Sequence, residues 1–267
     1  MTVKTTLIAL LFLFAYNANA QSPWVNNKGS FYGQISGTYL GYSSVINDTV
    51  NQIVQTGVPT RDITANLFGE YSVTDKLAVL ASVPFKFVSH DGQSLSSLGD
   101  PSVKVKYQFS KNVPVAGYLG YTAPLSKREG VLRTGYNQHT AEGGFSIGRG
   151  KERSYIYGGL GFRYRTNISN QVLIEFEYGY QFKIADRPLY AIFRVDGMLN
   201  ISDVNDPEAG LANLYHTNGE FVSPALKFSY NGFGNFWINL GVHSAVFVRN
   251  FGAASTFNLG VAYKLEK

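Results

Sequence analysis

Apolar and polar residues alternate along most of the chain with a period of two. In residues 97–109, SLGDPSVKVKYQF, Val103 and Val105 fall on one side while Lys104 and Lys106 fall on the other. This alternation predicts β-strands with one apolar and one polar face, and helical periodicity is scarce. About twelve strands are predicted, at residues 30–42, 61–73, 77–88, 101–109, 113–123, 139–148, 153–165, 171–182, 188–199, 220–230, 236–248 and 256–265.

The lengths of the strands and connections indicate a membrane barrel. Most predicted strands have the length of a tilted membrane-spanning strand, about 9–11 residues, rather than the roughly 5–6 residues of soluble strands. Short and long connections alternate, as in outer-membrane barrels with tight periplasmic turns and longer outer loops. The even strand number puts both termini at the periplasmic end. The predicted fold is therefore all-β, a transmembrane antiparallel up-and-down β-barrel. The short connections are 73–76, 110–112, 148–152, 183–188 and 231–235, and the long ones are 43–60, 89–100, 124–138, 166–170, 200–218 and 249–255.

The first twenty residues, MTVKTTLIALLFLFAYNANA, have the three parts of a secretory signal peptide. Lys4 precedes an apolar run from Leu7 to Tyr16, and small residues end in Ala18-Asn19-Ala20. This order predicts cleavage after Ala20. Residues 1–20 are thus a predicted signal peptide and residues 21–267 the outer-membrane barrel, with residues 21–29 as a short periplasmic lead-in.

Composition supports an exported β-protein and narrows its chemistry. Aromatic residues make up 15% of the chain, 28 residues are glycine and none is cysteine. The lack of cysteine excludes disulfides, thiolate chemistry and cysteine metal sites. The net charge of +5 is spread along the chain, so no nucleic-acid partner is expected. No nucleotide fingerprint or metal-binding motif is present, so we expect no cofactor and no metal.

Charged residues inside the predicted strands fall mainly on the polar face. Charged residues are only 15% of the chain, and Gly, Ser, Thr and Asn fill much of the same face. The exterior of a soluble protein is richer in Lys and Glu, so this face suits a hydrated interior better. The residues predicted to line the lumen are Glu70, Lys104, Lys106, Glu142, Arg163, Arg165, Glu175, Glu177, Arg194, Asp196, Lys227 and His243.

Two adjacent segments resemble a known family. SSLGDPSVKVKYQFSKN and EYSVTDKLAVLASVPF resemble hairpins of bacterial outer-membrane barrels named for the MetA pathway of phenol degradation, relatives of the FadL-type hydrocarbon and fatty-acid channels. The resemblance covers roughly residues 30–125, and the rest follows by strand rhythm. It implies an outer-membrane transporter. Residues 21–29 are too short for a FadL-type plug, and about 12 strands are predicted here against about 14 in those channels.

These features predict an outer-membrane channel or transporter for small solutes, hydrophobic or anionic, that contacts outer-membrane lipid. Loops 43–60 and 200–218 are expected to block a narrow passage in part, and the slight basic excess favours anions. A structural or adhesion barrel and a soluble secreted β-protein remain alternatives. A lipid-modifying enzyme is disfavoured because His243 and Ser244 are adjacent and point to opposite faces. The sequence specifies neither the solute nor the oligomeric state.

Overall fold

A computed structural model describes residues 22–47, 52–202, 204, 215, 217–252 and 254–267. Twelve long antiparallel strands form the main sheet of the described residues. They are β1 (Phe31–Asn47), β2 (Gln52–Ser72), β3 (Leu77–His90), β4 (Ser102–Ser110), β5 (Val115–Thr122), β6 (Thr140–Gly150), β7 (Ser154–Arg165), β8 (Gln171–Ile184), β9 (Arg187–Asn200), β10 (Glu220–Phe233), β11 (Phe236–Ser244) and β12 (Ser255–Leu265). Short strands in the connections are Gln93–Leu98, Arg128–Glu129, Leu132–Arg133, Phe247–Arg249 and Phe251–Gly252.

The sheet closes on itself. Each long strand pairs with its neighbours in the chain, and β1 pairs with β12 from Phe31 opposite Leu265 to Leu40 opposite Thr256. Closure satisfies the backbone groups that an open edge would leave without partners, which a strand in lipid requires. The predicted all-β barrel of twelve strands is confirmed.

The outer surface of the barrel is apolar. Large side chains that would be costly to expose to water stand out from the wall, among them Leu119 at 75%, Phe145 at 64% and Ile35 at 68% exposure. Such a continuous apolar surface is the lipid-facing band of a membrane barrel. No helix in the described part of the chain is long and apolar enough to cross a membrane.

The turns at one end are tight, as predicted. Between β8 and β9, Ala185 and Asp186 both have positive φ, 49° and 62°, the backbone of a two-residue hairpin turn that follows the strand twist. Gly234 (φ 54°) turns the chain between β10 and β11. Both described termini lie at this same end, which the alternation of loop lengths assigns to the periplasm.

The predicted long loop 43–60 is wrong for most of its length. β1 continues to Asn47 and β2 already begins at Gln52, so the two strands extend beyond the rest of the barrel as a hairpin. The register shifts between Tyr42 and Ser44, where Gly57 (φ 73°) lies in the opposite strand. Strands that extend beyond the membrane need no apolar face toward lipid, so this stretch of sequence lacks the alternation that identified the other strands.

Candidate functional site

The structure places all twelve sequence-predicted residues on the inner wall, where the side chains alternate with the exposed apolar ones. Whether they line a solute path stays a prediction. Eight are buried: Lys106, Glu142, Arg165, Glu175, Glu177, Arg194, Asp196 and His243; Glu70, Lys104, Arg163 and Lys227 are half-buried.

One arginine joins three carboxylates in the middle of the barrel. Arg194 lies 2.7 Å from Glu175, 3.1 Å from Glu177 and 2.7 Å from Asp196, measured between guanidinium nitrogens and carboxylate oxygens. The pairing of β8 with β9 sets this geometry, because Glu177 stands opposite Arg194 and Glu175 opposite Asp196. Tyr157 of β7 donates a hydrogen bond to Glu175. These contacts fix the charged groups to the wall and to one another.

Further ion pairs line other parts of the inner wall. Glu142 binds both Lys104 and Arg163, the latter at 3.0 Å, and Lys106 lies 3.1 Å from Glu70. Because each of these lysines and arginines has an acidic partner, the polar interior carries little net charge.

Sequence reasoning missed one pair of the same kind. Lys86 of β3 lies 3.0 Å from Asp62 of β2 and also donates to Thr64 at 2.9 Å. Asp62 has the same parity as Glu70 within its strand, so the alternation that found the other residues could have found this one.

Two predicted residues have other surroundings. Arg165 donates to the carbonyl of Ser169 at 2.8 and 2.6 Å and lies over the ring of Tyr136 at 4.6 Å, so it holds an outer connection in place. His243 is buried while Ser244 is exposed, so the two side chains leave the strand on opposite faces.

An apolar cluster, called the outer cluster below, lies at the outer end of the barrel. It consists of Tyr42, Val88, Leu95 and Leu132, with Tyr215 packed against it. Leu132 belongs to the long connection 123–139, which therefore returns over the barrel mouth.

Tyr215 ties the outer cluster to the charged wall. Its hydroxyl donates to Asp62 at 2.9 Å, and the Lys86 ammonium lies 5.0 Å from its ring centre. Burial and the nearby Asp62 carboxylate raise the pKa of the Tyr215 phenol well above its ordinary value, so the phenol keeps its proton and remains a donor.

Asp100, at the end of the Leu98-Gly99-Asp100 segment, anchors the 123–139 connection. Its carboxylate accepts the backbone N–H groups of Leu125 at 3.1 Å, Ser126 at 2.9 Å and Asn137 at 3.0 Å. Thr134 hydrogen-bonds the hydroxyl of Ser97 at 2.7 Å. The segment that prompted the family resemblance thus holds the closure of the outer end.

At the periplasmic end, the segment 22–30 enters the barrel and is called the inner segment below. The backbone N–H of Val25 donates to the Gln108 side chain at 3.0 Å, and Val25 packs in a buried group with Phe68 and Leu80. The Trp24 ring meets the Tyr155 ring edge-on at 5.7 Å. The prediction of a simple periplasmic lead-in is therefore incomplete, because these contacts seat the segment inside the mouth.

Between the inner segment and the opposite wall lies a cavity of about 800 Å³. Lys106 and Arg194 line it toward the barrel centre, and the turn residues around Glu152 line its periplasmic rim together with Lys264. Lys227 also lines it, opposite Gly241 in the adjacent strand. This cavity lies at the periplasmic end of the barrel interior.

Comparisons with known proteins identify the fold. The COG4313 outer membrane channel from Pseudomonas putida F1 is similar over 93% of this chain and 100% of that chain, with a TM-score of 0.72 and 12% sequence identity. The KdgM porin matches 89% of this chain and 99% of its own at TM-score 0.52 and 8% identity. The translocator domain of the autotransporter NalP from Neisseria meningitidis matches 90% of each chain at TM-score 0.51 and 12% identity. No protein-family model and no curated protein matches the sequence.

The shared fold and the apolar exterior give the same location. The three similar structures are outer-membrane barrels, at identities that bear on the fold alone. With a closed barrel and a lipid-facing band, the chain is an outer-membrane β-barrel, as the sequence predicted.

Proposed function

We propose that this barrel is an outer-membrane channel for small polar solutes. The observation that carries the proposal is the polar interior, in which paired charges along the inner wall lead into a cavity of about 800 Å³ at the periplasmic end. A barrel of twelve strands lies between the filled eight-stranded barrels and the open 16–18-stranded porins, so a narrow passage is expected. The eleven charged residues predicted to face inward, together with His243, would form its lining.

The proposed processing of the N-terminus fits this arrangement. Removal of residues 1–20 would leave Gln21 as the first residue, directly before the inner segment. Pro23 is among the most completely buried residues, and Trp24 contacts rings of β7. A short free end can reach this position from the periplasm, whereas a retained apolar leader would have to be accommodated at the same mouth.

Polar solutes fit the interior better than apolar ones. An apolar solute gains nothing from a wall of ion pairs and would have to displace the water that solvates them. The predicted preference for anions is expected to be weak. Arg194 alone faces three carboxylates, and the basic excess in the predicted lining is offset by such pairs.

Reconstitution in a planar bilayer tests the channel directly. We expect small discrete conductance steps with a weak preference between anions and cations, because the passage is narrow and its charges are paired. Swelling of liposomes in small neutral solutes supplies a second readout. Folding is checked by the change of gel mobility on heating. Folded protein that gives neither steps nor swelling would contradict the proposal.

A second candidate is a structural or adhesion barrel, favoured by the closure of the outer end. The outer cluster and the hydrogen bonds around Asp100 hold the 123–139 connection over the mouth. In that case loosening the connection by Asp100→Ala would not produce conductance, whereas a channel with its outer closure loosened would conduct more. A lipid-modifying enzyme has no support from His243 and Ser244, which face opposite ways.

A further inference from the structure

One wall of the periplasmic cavity carries a continuous arc of aromatic rings. Trp24 and Tyr155 are 5.7 Å apart between ring centres, Tyr155 and Tyr190 are 6.4 Å apart, and Tyr190 and Trp237 are 6.0 Å apart. All four line the cavity. The arc spans β7, β9, β11 and the inner segment, so no single strand motif in the sequence shows it.

The position of Tyr155 in the arc requires a residue without a side chain at position 179. An added Cβ at Gly179 of β8 would overlap the ring of Tyr155, so only glycine lets that ring lie flat against the strand. The ring planes of Tyr190 and Trp237 are inclined by 41° to one another, and both rings line the cavity.

A band of hydrogen-bonding side chains, called the amide band below, lies beside this arc. Ser229 donates to the Asn239 carbonyl oxygen at 2.6 Å, and Asn239 donates to Gln34 at 3.4 Å and to Tyr32 at 3.3 Å. These four residues also line the cavity. In register, Tyr190 of the arc stands opposite Ser229, which stands opposite Asn239. The aromatic arc and the amide band are therefore adjacent on the wall.

Charged groups of both signs line the cavity. At its inner limit Lys106 pairs with Glu70, and Arg194 pairs with Glu177. Lys227 lies within electrostatic range of the Glu177 and Asp196 carboxylates. An ionised solute would therefore meet both signs of charge at short range, whereas an uncharged solute with many hydroxyl groups would meet only hydrogen-bonding partners.

We propose that this cavity is a binding site for uncharged saccharides, on the path by which the barrel passes them. The inference rests on the proposed channel function and names its solute class. A pyranose ring has a face of C–H groups that packs on aromatic rings and a rim of hydroxyls that both donate and accept hydrogen bonds. The arc and the amide band supply these two kinds of contact side by side. The cavity volume lies within the roughly 300–1,000 Å³ of small-molecule sites.

The two tryptophans make the site directly observable. Trp24 and Trp237 are the only tryptophans of the chain, and both line the cavity. Folded protein in an amine-oxide detergent, which has no sugar head group, is titrated with maltose and with D-glucose. We expect a saturable change in tryptophan emission. Glycerol, which has hydroxyls and no ring, and phenol, which has a ring and a single hydroxyl, are expected to give no saturation in the same range.

Variants separate the two walls of the site. Tyr190→Ala removes a ring from the centre of the arc and should weaken maltose binding by about tenfold. Tyr190→Phe keeps the ring and loses only the hydroxyl that donates to Gln181, so its affinity should stay near that of the unaltered protein. Asn239→Ala removes the central member of the amide band and should also weaken binding. The heat-dependent gel mobility shows that each variant is folded.

Conductance of the same samples distinguishes the two proposals. Bound maltose should reduce the ion current through the unaltered channel and affect the Tyr190→Ala channel less. Conducting protein whose emission shows no saturation with either sugar would overturn the saccharide site and leave the channel standing. Saturation with phenol alone would also overturn it. Absence of all conductance would instead overturn the channel function itself.

Discussion

At the outer end of the barrel the 123–139 connection packs against the wall, and at the inner end residues 22–30 enter the mouth. The outer cluster is apolar and buried, and Asp100 fixes the connection above it through three backbone hydrogen bonds. The inner segment is held by contacts such as that of Val25 with Gln108, and it leaves a cavity of about 800 Å³ beside it.

The difference shows that one barrel wall can be closed to different degrees at its two ends, depending on which chain segment packs inside each mouth. Two closures along one passage act as resistances in series, so the tighter closure dominates the conductance. We expect the outer closure to be the tighter one, because it combines a buried apolar cluster with hydrogen bonds, while the inner segment leaves a cavity beside it. The ion pairs of Arg194 lie between them and keep the wall in register.

The largest expected effect is a loss of stability when the ion pairs of Arg194, which lie between the two ends, are removed. Arg194→Met leaves Glu175, Glu177 and Asp196 without their common cation, and loss of one partner of a buried ion pair costs about 3–5 kcal/mol. Urea-dependent unfolding in lipid vesicles measures the change.

Arg163→Met is the matched control for Arg194→Met. Its carboxylate partner, Glu142, keeps Lys104 as a second cation, and Arg163 itself is more exposed than Arg194. We expect a clearly smaller loss of stability. Equal losses in the two variants would show that the ion pairs of Arg194 stabilise the barrel no more than other inner ion pairs do.

Features set by neighbouring residues could be predicted from the sequence, whereas contacts between residues far apart in the chain could not. The strands were predictable because lipid requires an apolar residue at every second position, and inner charges such as Lys106 and Glu175 follow from the same alternation. The partners of those charges depend on strand register, which the pattern does not give. The position of Val25 was not predictable either, since its partner Gln108 is 83 residues away.

The second prediction opens the outer end. Asp100→Ala leaves the backbone N–H groups of Leu125, Ser126 and Asn137 without their acceptor. The bond to Ser126 is partly buried, so its loss should cost about 1–3 kcal/mol, whereas water can replace the acceptor of the two exposed bonds. We expect a several-fold rise in single-channel conductance. Trypsin should also cleave the loosened connection faster, after residues such as the exposed Lys127. Unchanged conductance with clear trypsin cleavage would contradict the view that this closure limits the passage.

The third prediction disturbs only the inner end. An added side chain at Gly148 would start 2.8 Å from Pro23 and from the Trp24 ring, so Gly148→Val should displace the inner segment. In a Trp237→Phe background the emission of Trp24 should shift to the red as its ring meets water. Conductance should change little, because the outer closure remains.

Gly150→Val is the control for that displacement. Gly150 lies on the same strand, two residues further on, and nothing in the described structure lies within 4 Å of an added Cβ there. Its Trp24 emission should match that of the background protein. A red shift of similar size in both variants would indicate a general disturbance of the strand rather than displacement of the inner segment.

The smallest effect is expected from the inner-end counterpart of Asp100. Asp75 accepts one exposed backbone hydrogen bond, from Lys28 at 2.8 Å, where Asp100 accepts three. Water can replace the lost acceptor, so Asp75→Ala should cost at most about 1 kcal/mol. Urea unfolding and bilayer recording of the two variants side by side measure the contrast. A rise in conductance as large as that of Asp100→Ala would mean that the inner segment, and not the outer cluster, is the tighter of the two closures.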